Sequence, residues 1–376
     1  MMTVIPTVHS AEWSMDAKIK QSTSYDDNVR MEENGKGSLI YKLTPALNFS
    51  HKTEISEISG SINYGIQRYL SISSFNQDSQ KYQLKGNYKT ERSYWSGNVS
   101  LNMAPVRNTA EEDSGNFTSN AEKMTRSVAL FYAYQLTELD RLTLLPSYSE
   151  NTYSKGDFSD NKNSNISLAW SHEWTERYSS SISVFYSTFS SQNSTRATLS
   201  NSYGINYSST YWWSENLQLS SSLGVRMTAS ENRLANFVDK TKGMGFLSNT
   251  AINYKAELYR VKLNVSRSLV PSSTGQLNEQ NRVSLNLDYD LSEHLTAGFL
   301  VSYQVSKSAS SNSDQTSVRK NSVLQPSINW KIARDWRISA NYRYRQQDRG
   351  SDSAVVASNS VMVSINYNWQ GLSIAR

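Results

Sequence analysis

Along most of this chain apolar and polar residues alternate singly, the period of two that sends successive side chains to opposite faces of a strand. Val283, Leu285, Leu287, Tyr289 and Leu291 alternate with Ser284, Asn286, Asp288 and Asp290. Val361, Val363, Ile365, Tyr367 and Trp369 alternate with Ser360, Ser364, Asn366 and Asn368. Trp336, Ile338, Ala340, Tyr342 and Tyr344 alternate with Arg337, Ser339, Asn341, Arg343 and Arg345. Comparable runs begin near Trp13, Leu39, Gly60, Tyr82, Trp95, Arg126, Leu142, Asn165, Tyr178, Leu199, Leu217, Phe246, Tyr259, Leu295 and Val323. Together they predict about eighteen strands, an even number as single-chain bacterial barrels require.

The connections fall into two alternating classes. Seven times a short polar break holding Glu, Arg or Asp is flanked by aromatics or leucine, as in Trp174-Thr-Glu-Arg-Tyr178 and Trp330-Lys-Ile-Ala-Arg-Asp-Trp336. Between these breaks lie longer polar segments at 24–38, 70–80, 105–122, 153–164, 189–196, 228–243, 270–281, 306–319 and 346–358. Short turns on the periplasmic side and long loops outside are the signature of a transmembrane β-barrel, whose interfacial aromatics form girdles. The pattern therefore predicts an all-β fold: one antiparallel up-and-down barrel over residues 11–376, in the outer membrane of a Gram-negative bacterium. Trp95, Trp174, Tyr178, Trp213, Tyr259, Trp330, Trp336 and Trp369 are the expected girdle. A propeller blade fits four short strands into a comparable period, whereas each period here holds two long runs. A soluble sandwich gives no reason for aromatics to gather at one set of turns.

Composition agrees once the alternation is taken into account. A hydrophobic fraction of 37% and a mean hydropathy of −0.60 look soluble, but a barrel shows only every second residue to lipid. The N-terminal Val8-His9-Ser10 before Ala11 fits a cleavage site, so residues 1–10 read as the tail of a secretory signal. With no Cys, disulfides and thiolate chemistry are out of reach. The four His, at 9, 51, 172 and 294, are scattered, and no phosphate-cradling glycine loop occurs. No catalytic residue, metal site, cofactor or nucleic-acid partner is expected. Acidic clusters at Asp26, Asp27, Glu32 and Glu33, and at Glu111, Glu112 and Asp113, are expected to be solvated loops.

The inward face is the candidate site. The alternation turns Lys18, Lys20, Lys42, Lys85, Lys89, Arg226, Lys255, Arg260, Lys262, Lys331, Arg337, Arg343 and Arg345 into the lumen, against fewer acids, chiefly Asp16, Glu173, Asp288 and Asp290. At about eighteen strands the interior is too wide for side chains to fill and holds water or a plug. A basic, Ser- and Asn-lined channel favours anionic or heavily hydroxylated solutes. An alternative is that these cations pair with loop carboxylates folded inward.

The opening Trp13-Ser-Met-Asp-Ala-Lys-Ile-Lys-Gln-Ser-Thr-Ser-Tyr25-Asp26-Asp27-Asn28-Val29, followed by Leu43-Thr-Pro45-Ala-Leu47-Asn-Phe49, resembles the VpsM-like and exosortase-associated outer-membrane barrels of exopolysaccharide systems. Leu324-Gln-Pro326-Ser-Ile328-Asn-Trp330 echoes the Pro-bearing strand near the other end. The specific motifs cover about the first 50 residues. A departure is that Tyr367 and Trp369 are followed by residues 370–376, which read either as a short periplasmic extension or as residues added to the natural chain. The resemblance implies passive export of a newly made polysaccharide, with outer-membrane lipid and lipopolysaccharide, periplasmic export components and the barrel-assembly machinery as partners. The competing reading is a porin for uptake of anionic or sugar solutes, which uses the same barrel and lumen. An electron-conduit scaffold and an outer-membrane enzyme fit less well, the first being larger and the second needing a catalytic cluster.

Overall fold

No backbone N–H or C=O facing hydrocarbon can be left unpaired, so a sheet that crosses a bilayer must close on itself. In the computed structural model it does. The structure describes residues 11–155, 158–194, 196–234, 237–309, 318–350 and 354–375, so the expected signal tail lies outside the described residues. The strands are β1 (Glu12–Asp26), β2 (Ser38–Lys52), β3 (Ser56–Tyr69), β4 (Gln77–Lys89), β5 (Ser93–Pro105), β6 (Glu122–Gln135), β7 (Asp140–Tyr153), β8 (Asp160–Thr175) and β9 (Tyr178–Gln192). They continue as β10 (Arg196–Ser214), β11 (Leu217–Leu234), β12 (Phe237–Lys255), β13 (Tyr259–Pro271), β14 (Leu277–Ser292), β15 (Leu295–Ser308), β16 (Arg319–Lys331), β17 (Trp336–Asp348) and β18 (Val356–Ala375). Each strand pairs antiparallel with its sequence neighbours, and β1 pairs with both β2 and β18, giving a closed eighteen-stranded up-and-down barrel.

Alternation sets the two surfaces. On β1 the exposed large side chains are Trp13, Met15, Ile19 and Tyr25; on β11 they are Leu219, Leu223, Val225 and Met227. In both strands they share one parity and face lipid, leaving the other parity to the lumen. The predicted girdle residues all have the outward parity of their strands near the periplasmic ends, and several pack in pairs: Trp95 on Tyr132 at 4.1 Å, Trp336 on Tyr367 at 4.8 Å and Tyr254 on Tyr259 at 5.5 Å between ring centroids. A second, extracellular belt is made of tyrosines, among them Tyr25, Tyr148, Tyr186, Tyr203 and Tyr303.

Strands run a few residues into several of the expected loops, as β9 does to Gln192 and β14 from Leu277, and two places differ more deeply from the sequence reading. Most of 228–243, expected to be a loop, is strand, because β11 extends to Leu234 and β12 starts at Phe237. Cross-strand polar pairs hold the upper β10–β11 wall together: Thr198 to Asn232 at 3.0 Å, Ser200 to Ser230 at 2.7 Å and Ser202 to Thr228 at 2.8 Å. Polar strands of this kind carry no apolar periodicity and so look like loop.

The second difference is at the C-terminus, where residues beyond Trp369 continue β18 to Ala375 rather than forming an extension. Register slips there, Ala17 pairing with Trp369 but Met15 with Leu372. Gln370 and Gly371 thus oppose Asp16 as a β-bulge, with Gly371 at φ +67°. The bulge moves the outward parity from odd to even positions, so Leu372 and Ile374 face lipid in place of Gly371 and Ser373.

Two stability outcomes follow. Leu285→Arg puts a charge on the lipid face and is expected to cost about 2–4 kcal/mol near the midplane, whereas Ser284→Arg points into the lumen and is tolerated; refolding into liposomes reads both. Ser364 does not serve as an inward control, because it is only 2% exposed and has no room for Arg. Gly371→Ala forces a side chain into left-handed backbone at a cost of about 1–2 kcal/mol before any clash. A Cβ there would also meet the Met15 carbonyl of β1, so the heat-modifiable folded band on a denaturing gel should weaken.

Candidate functional site: the lumen and its mouth

All thirteen cations expected in the lumen stand on the parity opposite their strands' exposed apolar residues. They divide into two groups. Four are neutralised: Arg343 by Glu111 at 2.7 Å, Arg345 by Asp26 at 2.6 Å, Arg226 by Glu279 at 2.7 Å, and Arg260 by Asp290 at 2.6 Å with Asp288 at 3.8 Å. Lys18, Lys20, Lys42, Lys85, Lys89, Lys255, Lys262, Lys331 and Arg337 make no ion pair among the described residues.

Most of the unpaired cations form one arc. Lys331 pairs across the ladder with Arg337, Arg337 with Asn366, Asn366 with Lys20, and Lys20 with Thr44, a single row over β16, β17, β18, β1 and β2. Lys18 and Lys42 stand beside that row, and Lys85 and Lys89 extend the arc past β3 to β4. The carboxylates on this arc, Glu12, Asp16 and Glu57, sit toward the periplasmic ends of their strands, and Asp16 accepts a 2.7 Å hydrogen bond from Asn48. With strands about 4.8 Å apart, neighbouring like charges of this kind raise the local positive potential over a solute path. The facing wall, β8 to β11, turns Ser, Thr and Asn inward, including Asn163, Asn165, Ser187, Ser202, Asn206 and Ser222.

The mouth is built from loops folded inward, which overturns the expectation of solvated acidic loops for Asp26, Glu111 and Asp113, while Glu112 stays largely exposed. The segment between β5 and β6 is rooted by Arg107, which donates to the Tyr69 hydroxyl at 3.2 Å, Gln77 Oε1 at 3.0 Å and the Phe75 carbonyl at 2.5 Å. From that root it reaches the far wall. Glu111 takes Arg343 of β17, its carbonyl accepts from Asn321 of β16 at 2.7 Å, and Glu112 meets Arg282 of β14 at 3.3 Å. Asp113 accepts from the Ser273 amide at 2.7 Å and the Ser272 hydroxyl at 3.1 Å, both in the β13–β14 turn. That turn also passes its Ser273 carbonyl to the Ser159 amide at 2.8 Å. Buried Met31, Ala110, Phe117 and Val356 pack between the loops. Three loops from different sides of the barrel thus meet over the lumen.

The motif that carries the family resemblance has a structural job. Asp26 accepts from Ser358 at 2.7 Å as well as Arg345, Asp27 takes the Asn359 amide and side chain at 2.7 Å each, and Asn28 donates to the Ala357 carbonyl at 3.0 Å. Tyr-Asp-Asp-Asn therefore clasps the first strand to the last at the extracellular end. Of the histidines described, His51 and His172 face outward and His294 lies in a turn; His172 Nδ1 meets Asp140 at 2.8 Å. No metal-ligating cluster occurs among the described residues. Inward-facing Lys81, two residues before Gln83 and four before Lys85, obeys the same alternation and was legible. Arg107 was not, since a loop residue has no period to betray its direction.

Solved structures share this architecture. OccAB2 of Acinetobacter baumannii aligns with a TM-score of 0.51 over 95% of this chain and 98% of its own, at 11% identity. OccK2 (OpdF) of Pseudomonas aeruginosa, solved in complex with glucuronate, aligns at 0.50 over 96% and 98%, also at 11% identity. The FrpB iron transporter of Neisseria meningitidis aligns at 0.51 over 95% and 81%, at 7% identity. No protein-family model and no curated protein matches the chain. At these identities the likeness is one of fold. A closed eighteen-stranded barrel with an apolar outer band and a polar lumen is a channel of the Gram-negative outer membrane.

Proposed function

We propose that the chain is an uptake channel for small anionic solutes, sugar acids among them. The observation that carries this reading is the arc of unpaired cations from Lys331 and Arg337 to Lys20, facing a wall of hydroxyls and amides. A carboxylate is drawn to the first wall, and hydroxyls exchange water for the second. The cations of the arc are spread over several strands, from β16 to β2, so the contacts are distributed and favour release, as permeation requires. The glucuronate held by OccK2 is a solute of this class, in a barrel of the same architecture. The inward-folded mouth also suits a small solute better than a polymer.

A second reading is export of an exopolysaccharide, supported by the Tyr25-Asp26-Asp27-Asn28 resemblance. It requires the loop at 106–121 to leave the far wall so that a chain can thread. Normal polysaccharide secretion from a strain lacking the gene would reject it.

In proteoliposomes glucuronate is expected to enter about tenfold faster than a cationic amino sugar at low salt, with the ratio falling as salt screens the arc. Equal rates would remove the uptake reading for anions. The mouth makes a separate claim. Replacing Glu111, Glu112 and Asp113 together by their amides frees the loop from Arg343, Arg282 and the β13–β14 turn, and single-channel conductance should rise by about twofold or more. Unchanged conductance would mean that the loop does not limit the path.

A further inference from the structure

Midway along β9 the lumen wall carries an aromatic ring among polar side chains. Phe185 has inward parity, since Ile182, Val184 and Tyr186 are the exposed apolar residues of that strand. It pairs across the ladder with Gly204 of β10 and Ser167 of β8. A Cβ on Gly204 would stand 2.2 Å from the Val225 carbonyl oxygen and 2.7 Å from Cε1 and Cζ of Phe185, so the missing side chain lets the tip of the ring lie over the wall at Gly204. An aromatic covering a bare strand glycine is a packing device in its own right, and it fixes the ring's orientation.

The residues above and below Phe185 on the same face are polar. Toward the extracellular side the next row is Asn165, Ser187 and Ser202, and toward the periplasm it is Ser183 and Asn206. The amides of Asn165 and Asn206 make no hydrogen bond to protein among the described residues, while both line the cavity in front of the ring. That cavity holds about 540 Å³. It exists because β13 stops pairing with β12 at Arg267 opposite Ser248, though β12 runs on to Phe237. The freed β13–β14 tip bends inward, fixed by the Ser273 contacts to Asp113 and Ser159, and its Leu269, Pro271 and Leu277 roof the space.

We infer that this cavity is a binding subsite for a pyranose ring, with Phe185 as the stacking platform and Asn165 and Asn206 as hydroxyl partners. The C–H face of a pyranose carries partial positive charge and is drawn to the negative face of an aromatic ring. Its hydroxyls, projecting from the ring edge, meet amides that can both donate and accept. An apolar floor with a few polar groups around it is the usual build of a small-molecule site. The subsite deepens the uptake reading by naming the ring as a recognised part of the solute, and rests on it only for the solute's entry.

The test is current blockade in planar bilayers by maltotriose, a neutral sugar, with ion selectivity measured in the same membranes before sugar is added. Maltotriose is expected to interrupt the wild-type current, and acyclic sorbitol, with hydroxyls but no ring, to leave it unchanged. Phe185→Leu, which keeps an apolar side chain without a flat face, should weaken the blockade about tenfold, while Phe185→Trp retains it. Asn206→Ala should weaken it less. Folded barrel in each variant is checked by the heat-modifiable band. No blockade in wild type, equal blockade in Phe185→Leu, or equal blockade by sorbitol would each overturn the inference. Loss of anion selectivity with sugar blockade intact would overturn the uptake reading for anions and leave the subsite standing.

Discussion

Closure of the sheet is the constraint on which the rest of this molecule depends. A bilayer supplies no hydrogen bonds to a strand edge, and an open edge inside it would leave a row of donors and acceptors unpaired. Here the edge is removed by pairing β1 with β18 over almost the whole length of β1. Two local devices secure that seam. At one end Asp26, Asp27 and Asn28 grip Ser358, Asn359 and Ala357, and at the other the Gly371 bulge re-phases β18 so that Leu372 and Ile374 reach lipid. Once the ring is closed, alternation has only one meaning, lipid outside and water inside.

The lumen's charge is then decided by which cations the loops can reach. Arg343 and Arg345 lie near the mouth, where carboxylates brought by the β5–β6 segment and by the end of β1 meet them at 2.7 and 2.6 Å. The Arg345–Asp26 pair is largely shielded from water, where coupling is stronger than at exposed sites, and both pairs anchor the loops that narrow the entrance. Deeper in the barrel no loop reaches, so Lys18, Lys20 and Arg337 remain unpaired. The same residue types thus serve two ends, holding the gate at the top and setting the potential below. The roof over Phe185 has a related origin, since the β13–β14 tip that forms it is held by the same Asp113.

Much of this was legible in the sequence, for a definite reason. Period two survives in every strand that has lipid on one side, so the Val283 to Leu291 and Val361 to Trp369 runs fix both the strands and the direction of the lumen cations. Where lipid is absent the signal fades. The polar upper arms of β11 and β12, held by Ser200 to Ser230 and its neighbours, read as loop although they are strand. Residues past Trp369 read as an extension because a bulge breaks the period. The partners of Arg343, Arg345 and Arg226 were beyond reach, since Glu111, Asp26 and Glu279 lie 232, 319 and 53 positions away, and spacing along a chain says nothing of contacts at that range.

The division of the lumen into a paired and an unpaired group of cations is the central claim, and ion selectivity tests it most directly. Reversal potentials across a salt gradient should show an anion-selective wild-type channel. Replacing Lys18, Lys20 and Arg337 by Gln should weaken that preference markedly, because no ion pair among the described residues offsets their charge. Neutralising whole pairs instead, Arg343→Gln with Glu111→Gln and Arg345→Gln with Asp26→Asn, should change it less, because each pair already sums to zero charge. Equal loss in the two sets, or a wild-type channel without anion preference, would contradict the account.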